Sequence, residues 1–124
     1  MIGVLVVEDE PLLLMDTADV FSDVGMAVFE ARDADEAMVL LAQRDDIGVL
    51  ITDLDMPAGR ISGRDFIRAV TARWPEMGIV VVSGADTPRV GDLPEGVRFL
   101  SKPFRARDLV SAAFAITSRQ TGSF

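Results

Sequence analysis

The chain has 124 residues, 49% of them apolar and 26% charged, which is the usage of an ordinary globular domain and not of a disordered segment. Twenty Asp and Glu against twelve Lys and Arg leave a net charge of −8, a field that repels phosphate backbones and anionic membrane surfaces and argues against direct nucleic-acid or membrane binding. With no cysteine and no histidine, disulfides, thiolate chemistry, imidazole bases and His-ligated metals are all excluded.

Short apolar runs alternate with longer helical patterns along the chain. Residues 3–7, Gly-Val-Leu-Val-Val, form a β-branched run of the kind buried on both faces of a sheet. Its start has no basic lead and turns acidic at Glu8, unlike a signal peptide, and no apolar run reaches membrane-spanning length. The expected setting is cytoplasmic. Pro11 suits a first helical turn, and residues 11–24 follow as a helix with Leu14, Ala18 and Phe21 on one face and Asp16, Asp19 and Asp23 on a solvated one. Gly25 ends it, and residues 27–29 read as a second, shorter strand.

Residues 33–43 form the next helix, with Ala37, Leu40 and Leu41 at core spacing, and residues 47–52 a third strand. After a loop, residues 63–74 make a helix turning Phe66, Ile67 and Val70 inward. Residues 79–82 and 97–100 are the fourth and fifth strands, and a last helix from about Arg105 buries Leu109, Ala112, Ala113 and Ile116. Between those strands, residues 86–95 carry Pro88, Gly91 and Pro94, which leave at most a turn or two of helix. No repeat or interdomain linker interrupts residues 1–124, which read as a single domain.

Five strands alternating with helices imply a parallel sheet covered on both sides, with right-handed crossovers. Ligands of such folds bind outside the carboxyl ends of the strands. Glu8, Asp9 and Glu10 follow the first strand, Asp53 and Asp55 the third, Ser83-Gly84 the fourth, and Ser101-Lys102-Pro103-Phe104 the fifth. In the flavodoxin-like strand order 2-1-3-4-5 these ends share one edge. Each group alone has a plain structural explanation: Glu10 complements a helix dipole, Asp53 opens a loop, Ser83 satisfies a strand-end backbone group. Lys102, however, is the only lysine, the other eleven basic residues being arginines, so a compact ammonium is singled out at that edge.

Crowded carboxylates repel one another, and a hard divalent cation relieves that repulsion; oxygen ligands with room for water suit Mg²⁺, with Mn²⁺ as a substitute. Such a cation neutralises a phosphoryl group in transfer, with Lys102 and Ser83 holding other phosphoryl oxygens. Asp53, entering from a central strand, is the best-placed nucleophile.

In this order, Val7-Glu8-Asp9-Glu10, Thr52-Asp53-Leu54-Asp55-Met56-Pro57, Val82-Ser83-Gly84-Ala85 and Leu100-Ser101-Lys102-Pro103-Phe104 resemble the receiver domain of two-component response regulators, the CheY-like family. The resemblance covers essentially the whole chain. It implies a doubly wound five-stranded parallel sheet and a signalling switch, not an enzyme. It further implies Asp53 as phosphoacceptor, served by a histidine kinase or histidine phosphotransfer protein. Asp9 and Asp53 would bind Mg²⁺ by side chain, Glu8 through a water, and Asp55 by its backbone carbonyl. Ser83 would be the switch hydroxyl, Lys102 the phosphate-binding lysine, and Phe99 the aromatic whose rotamer follows the switch.

Two departures from the family pattern stand out: a longer loop over residues 58–62 and a shorter span between Ser83 and Lys102, which puts a standard output surface in question. The chain reads as a stand-alone regulator or as a receiver of a larger protein, with an unidentified downstream target. Val110 and Phe114 lie off the buried stripe of the last helix, available for packing or for a homodimer. A flavodoxin-type carrier is disfavoured because Glu8-Asp9-Glu10 would repel a cofactor phosphate. A haloacid-dehalogenase-type phosphatase imitates the Asp53-Leu54-Asp55 spacing but carries that motif on its first strand. A receiver-shaped interaction module that works without phosphate is the remaining alternative.

Overall fold

The fold is a computed structural model describing residues 2–54, 61–84 and 93–121, with side chains as far as residue 116. Its elements alternate as β1 (Gly3–Val7), α1 (Pro11–Asp23), β2 (Ala27–Ala31), α2 (Ala34–Gln43), β3 (Ile47–Asp53), α3 (Gly63–Arg73), β4 (Gly78–Ser83), β5 (Arg98–Ser101) and α4 (Ala106–Thr121). All strand pairs are parallel, in the order β2-β1-β3-β4-β5. The expected doubly wound sheet is what forms, with four helices among the described residues.

Every residue of β1 and β4 is buried, which is why those strands read as unbroken apolar runs. Alternation along the strands divides the core in two. Leu5, Val7, Leu50 and Val81 pack with Ala37 and Leu41 of α2 and with Phe66, Ile67 and Val70 of α3. On the other face Val4, Val6, Val49, Ile51, Val80 and Val82 pack with Leu14 and Phe21 of α1 and with Leu109, Ala113 and Ile116 of α4. The inward positions expected for α1 and α3 are buried as a set, while Leu40 of α2 and Ala112 of α4 are only partly covered. Val110 packs against the second cluster, whereas Phe114 stays 45% exposed.

The helix ends follow from local chemistry. Glu10 caps α1, its Oε2 accepting from Leu13 N at 2.8 Å, with Pro11 directly behind it. At the other end Gly25, at φ +85°, donates to Ser22 O while Met26 N donates to Phe21 O, a Schellman closure that leads into β2. Asp33 caps α2 by accepting from Glu36 N, and Ser62 caps α3 by accepting from Asp65 N.

Most element ends shift by a residue or two from the sequence expectation, β4 for instance running from Gly78 to Ser83. Three of these shifts have a visible cause. β2 runs on to Ala31, because its ladder with β1 continues through Val7↔Ala31. Asp53 is the last residue of β3 and not the first of a loop, and Leu54 N extends the pairing by donating to Val82 O at 2.9 Å. β5 begins at Arg98; Val97 N instead closes a turn onto Pro94 O, with Gly96 at φ +89°. The 58–62 loop up to Arg60 and the 86–95 segment up to Asp92 lie outside the described residues.

Candidate functional site

The two-layer core fixes which side of the sheet each terminal residue serves. Glu8 continues the Val4–Val6 side of β1 and Asp53 the Val49–Ile51 side of β3, so both project toward α1 and α4. Thr52 and Ser83 continue the opposite alternation, toward α2 and α3, where Phe99 also packs.

Lys102 follows β5 directly, and its backbone N donates to Ser83 O at 2.9 Å, anchoring it to the end of β4. The Lys102–Pro103 peptide is cis. Gly84 lies against the Lys102 stem, where an added Cβ would stand 3.4 Å from Lys102 Cβ, an ordinary packing distance. From this anchor the ammonium crosses the end of β4 to donate to Asp53 Oδ2 at 2.8 Å and, more weakly, to Glu8 Oε1 at 3.4 Å. Glu8 Oε2 in turn accepts from Glu10 N at 3.2 Å. Carboxylate oxygens of Glu8, Asp9 and Asp53 lie within 4.8 Å of one another. Glu8 and Asp53 are only 5% and 4% exposed, while Asp9 is open to solvent.

Burying a carboxylate disfavours its charge, and the adjacent Asp53 adds repulsion; together they raise the Glu8 pKa from 4.5 to about 7. Lys102 is shifted upward. Partial burial works against its charge but is outweighed by the hydrogen bond and Coulomb attraction from Asp53, with Glu8 adding to both. One ammonium therefore serves two buried carboxylates, and the cluster keeps an excess of negative charge. Three carboxylates supplying only oxygen, one of them facing solvent, fit a hard divalent cation that retains waters.

Glu8, Asp9, Asp53 and Lys102, singled out from the sequence, are thus brought together in the structure. Ser83 stands at the neighbouring strand end, buried, and Phe99 lies on the same sheet face, two positions back across the β4–β5 ladder. Asp55 lies outside the described residues. Thr52, buried beside Asp53, stands in the central motif but carries no role legible from sequence, because a β-branched residue in a strand reads as packing. A larger cavity, about 750 Å³, opens around Trp74, Met77 and Val97 at the amino ends of the strands, away from the clustered carboxylates and Lys102. Chemistry, not volume, selects the carboxyl edge. No helix among the described residues is long and apolar enough to cross a membrane.

A five-stranded parallel sheet in the order 2-1-3-4-5 gives the chain the CheY-like α/β fold, and the acidic cluster with its ammonium sits at the carboxyl edge of that sheet. Residues 4–114 match the family model for the response regulator receiver domain, and the chain belongs to that family of two-component signalling proteins. It is 30% identical over 110 residues to the nitrogen assimilation regulatory protein NtrX of Azorhizobium caulinodans, covering 86% of this chain and 24% of that one. It is 31% identical to nodulation protein W of Bradyrhizobium diazoefficiens, covering 94% of this chain and 51% of the relative. The chain therefore spans about a quarter of the first relative's length and about half of the second's. Among solved structures, a response regulator receiver domain protein from Clostridium thermocellum superposes with a TM-score of 0.85 at 27% identity, covering 100% of both chains. Receiver domains act as signalling switches that work with histidine kinases and downstream effectors.

Proposed function

We propose that residues 1–124 act as one phosphorylation-controlled switch in which Asp53 accepts a phosphoryl group from the phosphohistidine of a kinase or phosphotransfer protein. The observation that carries this reading is the 2.8 Å contact between Lys102 Nζ and Asp53 Oδ2, made by a carboxylate held 4% exposed at the centre of the carboxyl edge. An Asp53 oxygen attacks phosphorus, a P–O bond forms, and the P–N bond to the donor imidazole breaks, its electron pair leaving on the ring nitrogen. Lys102, already within reach of that carboxylate, steadies the negative phosphoryl oxygens as they arrive. Glu8, Asp9 and Asp53 would hold Mg²⁺ by their carboxylates, with the Asp55 carbonyl completing the set. When bound, the cation neutralises charge on the transferred group.

Once Asp53 is phosphorylated, the Ser83 hydroxyl donates to a phosphoryl oxygen and Phe99 follows into the space beside it. A pre-existing equilibrium thereby shifts toward a surface read by a downstream protein. The −8 charge disfavours nucleic acid as that direct target and a protein is the better fit. Intact-protein mass after incubation with a small-molecule phosphodonor tests the reading. A single Mg²⁺-dependent phosphoryl adduct is expected, absent in Asp53→Asn. No adduct on a folded, Mg²⁺-binding chain would instead favour an interaction module that works without phosphate.

A further inference from the structure

Thr52 stands directly before the proposed acceptor and is 1% exposed, yet its Oγ1 has no hydrogen-bond partner among the described residues. The sheet register places it in a row that runs Ala31, Val7, Thr52, Val81, Phe99 across all five strands. Its immediate neighbours in that row are both valines, and a third valine would match its shape while burying a methyl in place of a hydroxyl. A hydroxyl shut away from water without a partner carries its full desolvation penalty. This position therefore keeps a polar group where an apolar one fits better.

The row also says where a partner is to be found. Ser83 lies two residues beyond Val81 on the same face of β4, diagonal to Thr52. Resting on the acceptor reading above, the switch draws Ser83 toward Asp53, and hence toward the strand that carries Thr52. A serine hydroxyl has one proton to give and two lone pairs. Spending its proton on a phosphoryl oxygen leaves Ser83 able to accept from Thr52. We propose that Thr52 is a positioning residue of the switch. Its hydroxyl is unpaired in the resting arrangement and paired in the phosphorylated one, so it narrows the free-energy gap between them.

The test uses the full chain, its Thr52→Val and Thr52→Ser variants, and beryllofluoride with Mg²⁺ as a mimic of the aspartyl phosphate. Thermal unfolding without beryllofluoride reads the resting state, and calorimetric titration reads the affinity. Thr52→Val is expected to raise the unfolding temperature by several degrees and weaken beryllofluoride binding roughly 5- to 30-fold, because the ligand must now overcome a wider gap. Thr52→Ser, which keeps the hydroxyl, should bind within about threefold of the parent. A Thr52→Val protein no more stable than the parent would mean that the hydroxyl is already satisfied, and would overturn the inference. So would a more stable variant of unchanged affinity, since the penalty would then be present in both states. A parent chain that fails to bind beryllofluoride in Mg²⁺ would instead remove the acceptor reading, and this inference with it.

Discussion

Glu8 is a carboxylate kept from water beside another carboxylate, so in the folded chain it holds its proton to about pH 7, against 4.5 ordinarily. A pKa raised by folding contributes stability that is complete below pH 4.5 and is lost as the pH rises through 7. The chain has no histidine, so between pH 5 and 8, above the ordinary carboxylate values, the α-amino terminus is the only other group that ordinarily titrates. Urea unfolding in chelator should therefore show the parent less stable at pH 8 than at pH 5. Glu8→Gln, which keeps the shape without the charge, should be nearly level across the range and more stable than the parent at pH 8. A parent curve as flat as the variant's would show that Glu8 ionises without cost. The sequence makes this group legible by its place at the end of a buried strand, Asp53 in the same way, and Lys102 as the only lysine. What it does not make legible is which hydroxyl is shielded. Thr52 and Ser83 are both buried strand residues, and only the packing around Thr52 leaves its Oγ1 unpartnered.

Gly25 does for α1 what no side-chain residue does cheaply. At φ +85° it turns the chain so that its own N–H and that of Met26 reach the last open carbonyls of the helix. A Cβ placed there meets nothing within 4 Å, so the penalty of Gly25→Ala is one of backbone alone, about 1–2 kcal/mol. Chemical denaturation should show that loss with an unchanged m-value, and Gly25→Asn, more tolerant of this region, should lose less. A neutral Gly25→Ala would mean that α1 ends differently. At Gly63 the cost has another source: a Cβ there would stand 3.0 Å from Leu54 O, packing the start of α3 against the end of β3. Elements of this kind are readable from sequence because β-branched runs, a proline at a helix start and a glycine at its end each leave a local mark. Their limits are less so. Glu30 is exposed on an edge strand, so nothing in its own chemistry announces that β2 continues to Ala31. Asp53 resembles a loop residue in composition, yet the pairing of β3 with β4 holds it in the ladder. Ser62 is part of a loop by composition, and its role as the α3 cap emerges only with the helix.

For the molecule as a whole, a net charge of −8 works against compaction, and part of that charge is concentrated where Glu8, Asp9 and Asp53 meet around one lysine. Two different effects of added salt then need to be separated. Monovalent ions screen the general self-repulsion, with a Debye length of about 10 Å at 0.1 M, and stabilise the fold without occupying a site. A divalent ion held by the three carboxylates adds linkage stabilisation, about 2.7 kcal/mol at a hundredfold excess over its Kd. Thermal unfolding in Mg²⁺ and in NaCl at matched ionic strength distinguishes them. Mg²⁺ is expected to raise the unfolding temperature well beyond NaCl, and Asp53→Asn should forfeit most of the extra increment while keeping the NaCl response. Asp19→Asn removes the same charge from the exposed stripe of α1, so it should keep both responses. Equal stabilisation by the two salts would mean that the cluster acts only as diffuse charge, and that the carboxyl edge does not bind the cation assigned to it.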